Sequence, residues 1–333
     1  MSLSATYVEY DSLVLVQYEP GEVVALMKAI RLHDFDGPKS LCYDETPKPI
    51  PKDDQVCVRV CATAITPTEF DWYPTSHTAE GDIRPLPIIL GHEFSGVVET
   101  VGLECDEVEV GAPVYGLNDW FIDGAQAEYC LTVPDNIALK PVTIDHAQAA
   151  AVPISALTAW QALIDRAHVA AGQRVLIHGS AGGVGSFAVQ LARAQNAHVI
   201  ATASVGNIDF VKALGADEVV DYRATPFETV VGDVDVVLDT VGGATRDRSW
   251  GILKKGGRLI TIAADAERSK EQRVRDAFFI VEPHRKQLVD ISRLIDASVI
   301  RPVVGAVLSM ENFRQAYEQK PVRGKNVLSI AES

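Results

Sequence analysis

The residues best placed to do chemistry lie at 179–185, where the chain reads Gly179-Ser180-Ala181-Gly182-Gly183-Val184-Gly185. An apolar run, Arg174 to His178, leads into this turn, and a helix-periodic stretch, Val184 to Ala194, leads out. A strand that turns on glycines into a helix makes an anion site. Gly182 lets the backbone approach a pyrophosphate, Gly185 lets the helix pack close to the strand, and the helix N-terminus offers free N–H groups to phosphates. In register, Ser180-x-Gly182-x-x-Gly185 is the dinucleotide pattern with serine in place of the first glycine. Ser180, Gly182, Gly183, Val184 and Gly185 are therefore candidate cofactor contacts; the alternative is a tight turn without a ligand. About 20 residues on, an NAD site carries an Asp or Glu for the ribose hydroxyls. Here the segment is Ala201-Thr202-Ala203-Ser204-Val205-Gly206-Asn207, and the first acid, Asp209, falls in the next helix. Nothing there repels a 2′-phosphate. Ser204 and Asn207 are candidates to bind it, with Arg223 nearby after the next strand, so NADPH is the expected cofactor.

A histidine and a glutamate, His92-Glu93, and five cysteines are the other residues with metal or redox chemistry. The cysteines are odd in number and form no CxxC pair, which predicts free thiols and a reduced, cytoplasmic compartment. Cys57 and Cys61, four apart in a strand, read as small buried hydrophobes.

The elements that must position these groups fall into two kinds. Of 333 residues, 47% are apolar and 23% charged, enough for about two folded domains. The net charge of −15 argues against nucleic acid or an anionic membrane as a partner. No apolar stretch is long enough to span a bilayer. Before residue 150, short runs such as Val56 to Val60, Ser95 to Val101 and Ala127 to Val133 read as strands of a β-rich domain. From 151 to 298, strands alternate with helices: Arg174 to His178, His198 to Thr202, Glu218 to Asp221, Val234 to Asp239 and Arg258 to Ile262, with Phe278 to Val281 as a sixth strand. That order predicts a doubly wound parallel sheet. Val303 to Leu308 and Asn326 to Ile330 return to strand character and are expected to fold back on the first domain. The division is thus 1–26 as an N-terminal extension, 27–150 with 299–333 as one domain, and 151–298 as the other. The extension lacks Lys and Arg, unlike a targeting signal. It reads as an added edge strand around Leu13 to Val16, a disordered arm or a misassigned start.

Several segments together resemble the medium-chain dehydrogenase/reductase superfamily, in its zinc-independent, quinone-oxidoreductase-like branch. These are Gly91-His92-Glu93-Phe94-Ser95-Gly96, Val110-Gly111-Ala112-Pro113-Val114-Tyr115-Gly116, Leu157-Thr158-Ala159-Trp160-Gln161-Ala162-Leu163, the glycine turn, and Leu214-Gly215-Ala216-Asp217 to Asp221-Tyr222. The resemblance covers about residues 27–333. It implies an α/β fold: a Rossmann doubly wound parallel sheet plus a GroES-like β-rich catalytic domain, with the active site between them. It implies NADPH as hydride donor, a small-molecule quinone or α,β-unsaturated carbonyl as acceptor, and a homodimer built on the strand at 278–281. It also implies cofactor contacts at Thr158, Tyr222, Thr240, Gly242, Ala263, Phe279 and Lys325.

Zinc-dependent relatives place a Cys where Thr66 stands and a further ligand near Ile154 or Ser155; only His92 is retained, so no metal is expected. In the loop Thr66-Pro67-Thr68-Glu69-Phe70-Asp71-Trp72-Tyr73, Thr66 and Tyr73 are candidate donors to the acceptor oxygen, and Trp72 is a candidate stacking surface or a core-packing residue. His92 is a packed cleft residue or a catalytic acid, and Glu69 and Asp71 are expected to be solvated or capping. Relatives often carry Asn-Pro at Thr66-Pro67. Alternative readings are an enoyl-thioester reductase, a non-catalytic NADPH-binding redox sensor and a zinc alcohol dehydrogenase.

Overall fold

The computed structural model describes residues 7–10, 13–17 and 23–331, with side chains from residue 25 onward. The remaining positions of the extension lie outside the described residues. Three sheets organise the chain. In the first, the strands Tyr7–Tyr10, Leu13–Gln17, Val23–Leu32 and Leu41–Pro47 pair in that order, and Ile88–Ile89 also pairs with Val23–Leu32. Leu13–Gln17 is an added strand but not the edge expected of it: it pairs antiparallel with Val23–Leu32 on one side and with Tyr7–Tyr10 on the other, and Tyr7–Tyr10 is the outermost strand.

The second sheet runs Ile137–Leu139, Pro113–Leu117, Glu93–Val101, Val56–Ala64, Lys325–Ser329 and Val304–Ser309. Val56–Ala64, which also pairs with Tyr129–Thr132, is buried along almost its whole length, as a central strand of apolar residues should be. Val304–Ser309 alternates half-buried and exposed residues, as expected of an edge strand with one solvated face. The tail does fold back: Lys325–Ser329 pairs with Val56–Ala64, so residues far apart in sequence share one sheet.

The third sheet is parallel, in the order Glu218–Asp221, His198–Ala203, Arg174–Ile177, Val234–Asp239 and Leu253–Thr261. Its centre, Val175 to Ile177 and Val236 to Leu238, is buried on both faces, as a parallel sheet requires. The expected sixth strand is not formed among the described residues. Phe278 makes one bridge to Thr261, after which the segment leaves the sheet: Val281 O accepts from Trp120 Nε1 and Glu282 O from Gln161 Nε2.

Two helices tie the sheets together. Gly183–Ala194 buries Phe187, Ala188, Val189, Leu191 and Ala192 against the parallel sheet. Arg285–Asp296 buries Leu288, Ile291 and Ile295, three and four residues apart on one face. Tyr115, fully buried on the second sheet, donates to Leu288 O at 2.6 Å and accepts from Ser292 Oγ at 3.0 Å. The β-rich part is thereby fastened to the α/β part.

Candidate active site

The glycine turn begins where Arg174–Ile177 ends. His178 is buried there, between Thr202 Oγ1 and Ser249 Oγ, each 3.0 Å from a ring nitrogen. Burial lowers its pKa to about 4, so the ring is neutral. Gly179 has φ +69°, and a Cβ there would lie 2.2 Å from Thr240 Oγ1. A Cβ on Gly185 would lie 2.3 Å from Gly179 O, so only glycine lets the helix come this close. Gly182 differs. A Cβ there meets only Gly179 O, at 3.3 Å, and its outer side is open for a ligand. The first turn of Gly183–Ala194 leaves N–H groups without helical partners beside it. Ser180 is fully buried and donates to Ile177 O, so its hydroxyl serves the turn.

Sequence reasoning missed one residue at the next strand end. Arg323 Nε donates to Asn207 Oδ1 at 2.8 Å, its Nη2 donates to Gly206 O at 3.2 Å, and the guanidinium lies 4.4 Å from the centre of the Phe210 ring. Asn207 Nδ2 donates to Ser204 Oγ at 3.3 Å. Ser204, Asn207 and Arg323 therefore form one polar cluster. Arg223 does not join it through any contact among the described residues. Its guanidinium sits 5.7 Å from the exposed Tyr222 ring, and its backbone N–H donates to Asp221.

The turn Arg323-Gly324-Lys325 spans from this cluster to Thr66. Gly324 N donates to Ala181 O at 2.9 Å and bridges Gly182, laying the C-terminal tail against the glycine turn. Lys325, expected to reach a phosphate or to sit on a surface turn, is not on the surface: it is 9% exposed. Its ammonium is nearly buried, ion-paired to Glu93 Oε1, and donates to Thr66 Oγ1 at 2.8 Å. Strand pairing to Val56–Ala64 carries it inward. Glu93 is fully buried and also accepts from Ile154 N at 2.9 Å. Burial holds its carboxyl above the ordinary range, against the opposing pull of Lys325.

Beside this pair lies a second. Glu69, expected to be solvated or capping, is 1% exposed. Its Oε1 accepts from Gly91 N at 2.8 Å and from His92 Nδ1 at 2.7 Å. A short helical turn, Pro67–Asp71, points Glu69 inward and lets it satisfy the bend at Gly91, where φ is +82°. His92 is 2% exposed, and its other nitrogen, Nε2, is buried without a partner among the described residues. Its ring lies 5.3 Å from Trp120, which meets Trp72 edge-on at 5.2 Å. Trp72 and His92 thus gather around Trp120, while Thr66 joins the Glu93–Lys325 pair. Tyr73 does not: it stacks on His77 at 4.2 Å and is 38% exposed.

The remaining candidates line the strand ends. Thr158 is buried and donates to Ile154 O within its helix. Thr240 donates to His178 O. Gly242, φ +81°, donates to buried Asp239, and Asp239 also accepts from Thr261 Oγ1. Ala263 N donates to Thr261 Oγ1. Phe279 is buried under the Arg166 guanidinium, 4.4 Å away, so its ring is a packing element.

Comparison with known proteins agrees with this arrangement. Residues 52–153 match the family described as alcohol dehydrogenase GroES-like domain, and 214–328 match the one described as zinc-binding dehydrogenase. A quinone oxidoreductase of Sus scrofa is 31% identical over 331 residues, covering 92% of this chain and 98% of its own. A 2-methylene-furan-3-one reductase of Solanum lycopersicum is 31% identical over 261 residues, covering 76% and 64%. The solved quinone oxidoreductase of Coxiella burnetii superposes with a TM-score of 0.84 at 30% identity, over 92% of this chain and all of that one. With its parallel sheet, its GroES-like domain and two quinone oxidoreductases matched over nearly their whole length, the chain belongs to the medium-chain dehydrogenase/reductase superfamily, in the quinone oxidoreductase-like branch.

Proposed function

We propose that the protein is a metal-independent, NADPH-dependent reductase of quinones or α,β-unsaturated carbonyls. Family membership carries the coarser statement: it is an NAD(P)H-dependent oxidoreductase. The single observation that carries the acceptor chemistry is the orphaned Nε2 of buried His92, held from behind by Glu69. The relatives that reduce a quinone and a 2-methylene-furan-3-one support the same class.

The glycine turn, with the open side of Gly182, fits a dinucleotide pyrophosphate, and the Ser204–Asn207–Arg323 cluster fits the phosphate of NADPH. NADPH, when bound, supplies the hydride. The chain's own residues then manage the charge that arrives on the acceptor oxygen. Thr66 accepts a hydrogen bond from Lys325, which leaves its O–H free to donate. His92 is held through Nδ1 by Glu69, which leaves Nε2 to exchange a proton with the oxygen. Such donors act strongly where water is excluded. Trp72 and Trp120 offer flat apolar surface to a planar acceptor.

The donor set around His92 does not suit a catalytic zinc, which needs three protein ligands. Thr66 and Ser155 are hydroxyls. Among the described residues, the one group of three or more His, Cys, Asp or Glu able to share an ion is His33, Cys42 and Asp44, not a group containing His92.

The test is initial-rate oxidation of NADPH by a para-quinone with chelator present, and NADH in parallel. Chelator-insensitive turnover with NADPH favoured is expected. Loss of activity to chelator would overturn the metal-free part, and absence of turnover with quinones and enones alike would overturn the acceptor class. His92→Gln should lower kcat by about 10²-fold, the usual contribution of a general acid, with KM for NADPH unchanged. An unchanged kcat would remove His92 from the mechanism.

A further inference from the structure

A second cluster lies on the first sheet and takes no part in the cleft. Val23–Leu32 and Leu41–Pro47 pair antiparallel with Arg31 opposite Cys42 and Ala29 opposite Asp44. Side chains alternate across a strand, so Cys42 and Asp44 share one face. His33 follows Arg31 by two and keeps to the pairing line, its N–H donating to Ser40 O at 3.0 Å. The three side chains converge. His33 Nε2 is hydrogen-bonded to Asp44 Oδ2, and one ligand atom from each of His33, Cys42 and Asp44 lies within 4.8 Å of the others. Cys42 and Asp44 are half-buried and His33 is exposed, which leaves an open approach.

We propose that His33, Cys42 and Asp44 form a binding site for a zinc-type divalent ion. Imidazole nitrogen, thiolate sulfur and carboxylate oxygen are the donors zinc takes, and three of them with a water complete a tetrahedron. Thiolate and imidazole select against magnesium and calcium, which prefer oxygen ligands. Binding replaces the His33–Asp44 hydrogen bond with two bonds to the ion and releases the Cys42 thiol proton to solvent. Two paired strands hold the ligands, so little ordering remains to be done. Arg31 Nη1, 3.8 Å from Asp44 Oδ2, competes for the carboxylate and keeps the affinity below that of a four-ligand site. The site is independent of the cofactor cleft, and zinc found in the purified protein would therefore not by itself place a metal at His92.

The thiols supply a direct readout. Cys42 is half-buried and the other four cysteines are buried. Metal-free full-length protein, in buffer without reductant, should show one fast-reacting thiol with a disulfide reagent. Zinc chloride should suppress that reaction. Cobalt(II) should give a near-ultraviolet thiolate-to-metal band. Cys42→Ser should abolish both signals, while His33→Ala and Asp44→Asn should each weaken zinc protection by about tenfold or more. Unaltered thiol reactivity in zinc would overturn the proposal, and so would full protection in both His33→Ala and Asp44→Asn. His92→Gln should bind the ion like the wild type. Binding lost in His92→Gln and kept in Cys42→Ser would move the ion to the cleft, overturning this site and the metal-free mechanism together. Loss in Cys42→Ser alone leaves that mechanism untouched.

Discussion

At the scale of single residues, the two buried pairs have different parts. Glu93 and Lys325 neutralise one another inside the protein, and removing one partner strands the other charge. Lys325→Met should therefore cost about 3 kcal/mol or more of stability, read as a fall in denaturation midpoint. A variant as stable as the wild type would contradict the buried pairing. Arg323 serves the phosphate end of the cofactor in the proposed reading. Arg323→Ser should raise KM for NADPH on the order of tenfold, as for a lost charged hydrogen bond, and leave KM for NADH alone. Equal effects on both cofactors would sink that assignment. His178 reports on pH. Its folded pKa, about 4, is depressed below the usual 6.5 of the unfolded chain. Its contribution to stability is thus complete above about pH 6.5 and is lost as pH falls toward 4. Denaturation midpoints of wild type should decline across that window more steeply than those of His178→Gln; parallel curves would refute the linkage. Little of this was legible in sequence. Glu69 looks like a loop acid until Gly91 and His92, 22 and 23 positions on, are folded over it. Arg323 meets Asn207 from 116 residues away.

At the scale of elements, sequence pattern was far more informative. The glycine turn declares itself because strand, turn and helix are contiguous, and their chemistry is that of the backbone. The parallel strands were readable as apolar runs for the same reason. The segment at 278–281 misled because Val and Phe also suit a packed loop, and its carbonyls go to Trp120 and Gln161 rather than to a neighbouring strand. Two glycines of the turn make separable predictions. Gly185→Ala forces a Cβ to 2.3 Å from a backbone oxygen, so the helix must shift. It should cost about 1–3 kcal/mol, as overpacking does, and lower the thermal midpoint. Gly182→Ala puts a Cβ 3.3 Å from Gly179 O, a slight crowding, and should lower the midpoint far less than Gly185→Ala, yet bind NADPH more weakly by equilibrium titration. The reverse result would mean that the turn's open side faces no ligand.

At the scale of the molecule, the tail determines how the parts cooperate. Residues 323–325 touch Asn207, the glycine turn and Thr66 in succession, so both halves of the chain share the same three residues. The two-part architecture was readable from the change in strand spacing near residue 150, and the return of the tail from the strand character of Val303 to Leu308 and Asn326 to Ile330. Its pairing with the central strand Val56–Ala64 was not, because pairing partners are not written in local pattern. The 278–281 segment sits beside the edge strand Leu253–Thr261 with Ile280 51% exposed. A homodimer across this edge is expected, and Ile280→Asp should shift the mass measured by light scattering from dimer to monomer. A wild-type monomer would rule it out.

The paired indoles carry a practical consequence. Of four tryptophans, Trp72 and Trp120 stand together beside His92, and Trp120 reaches across to Val281. Reduced nicotinamide absorbs where indole emits. The protein therefore contains its own optical probe: excitation of these rings should transfer energy to a bound dihydronicotinamide, and the emission of a single sample would time both its arrival and its oxidation.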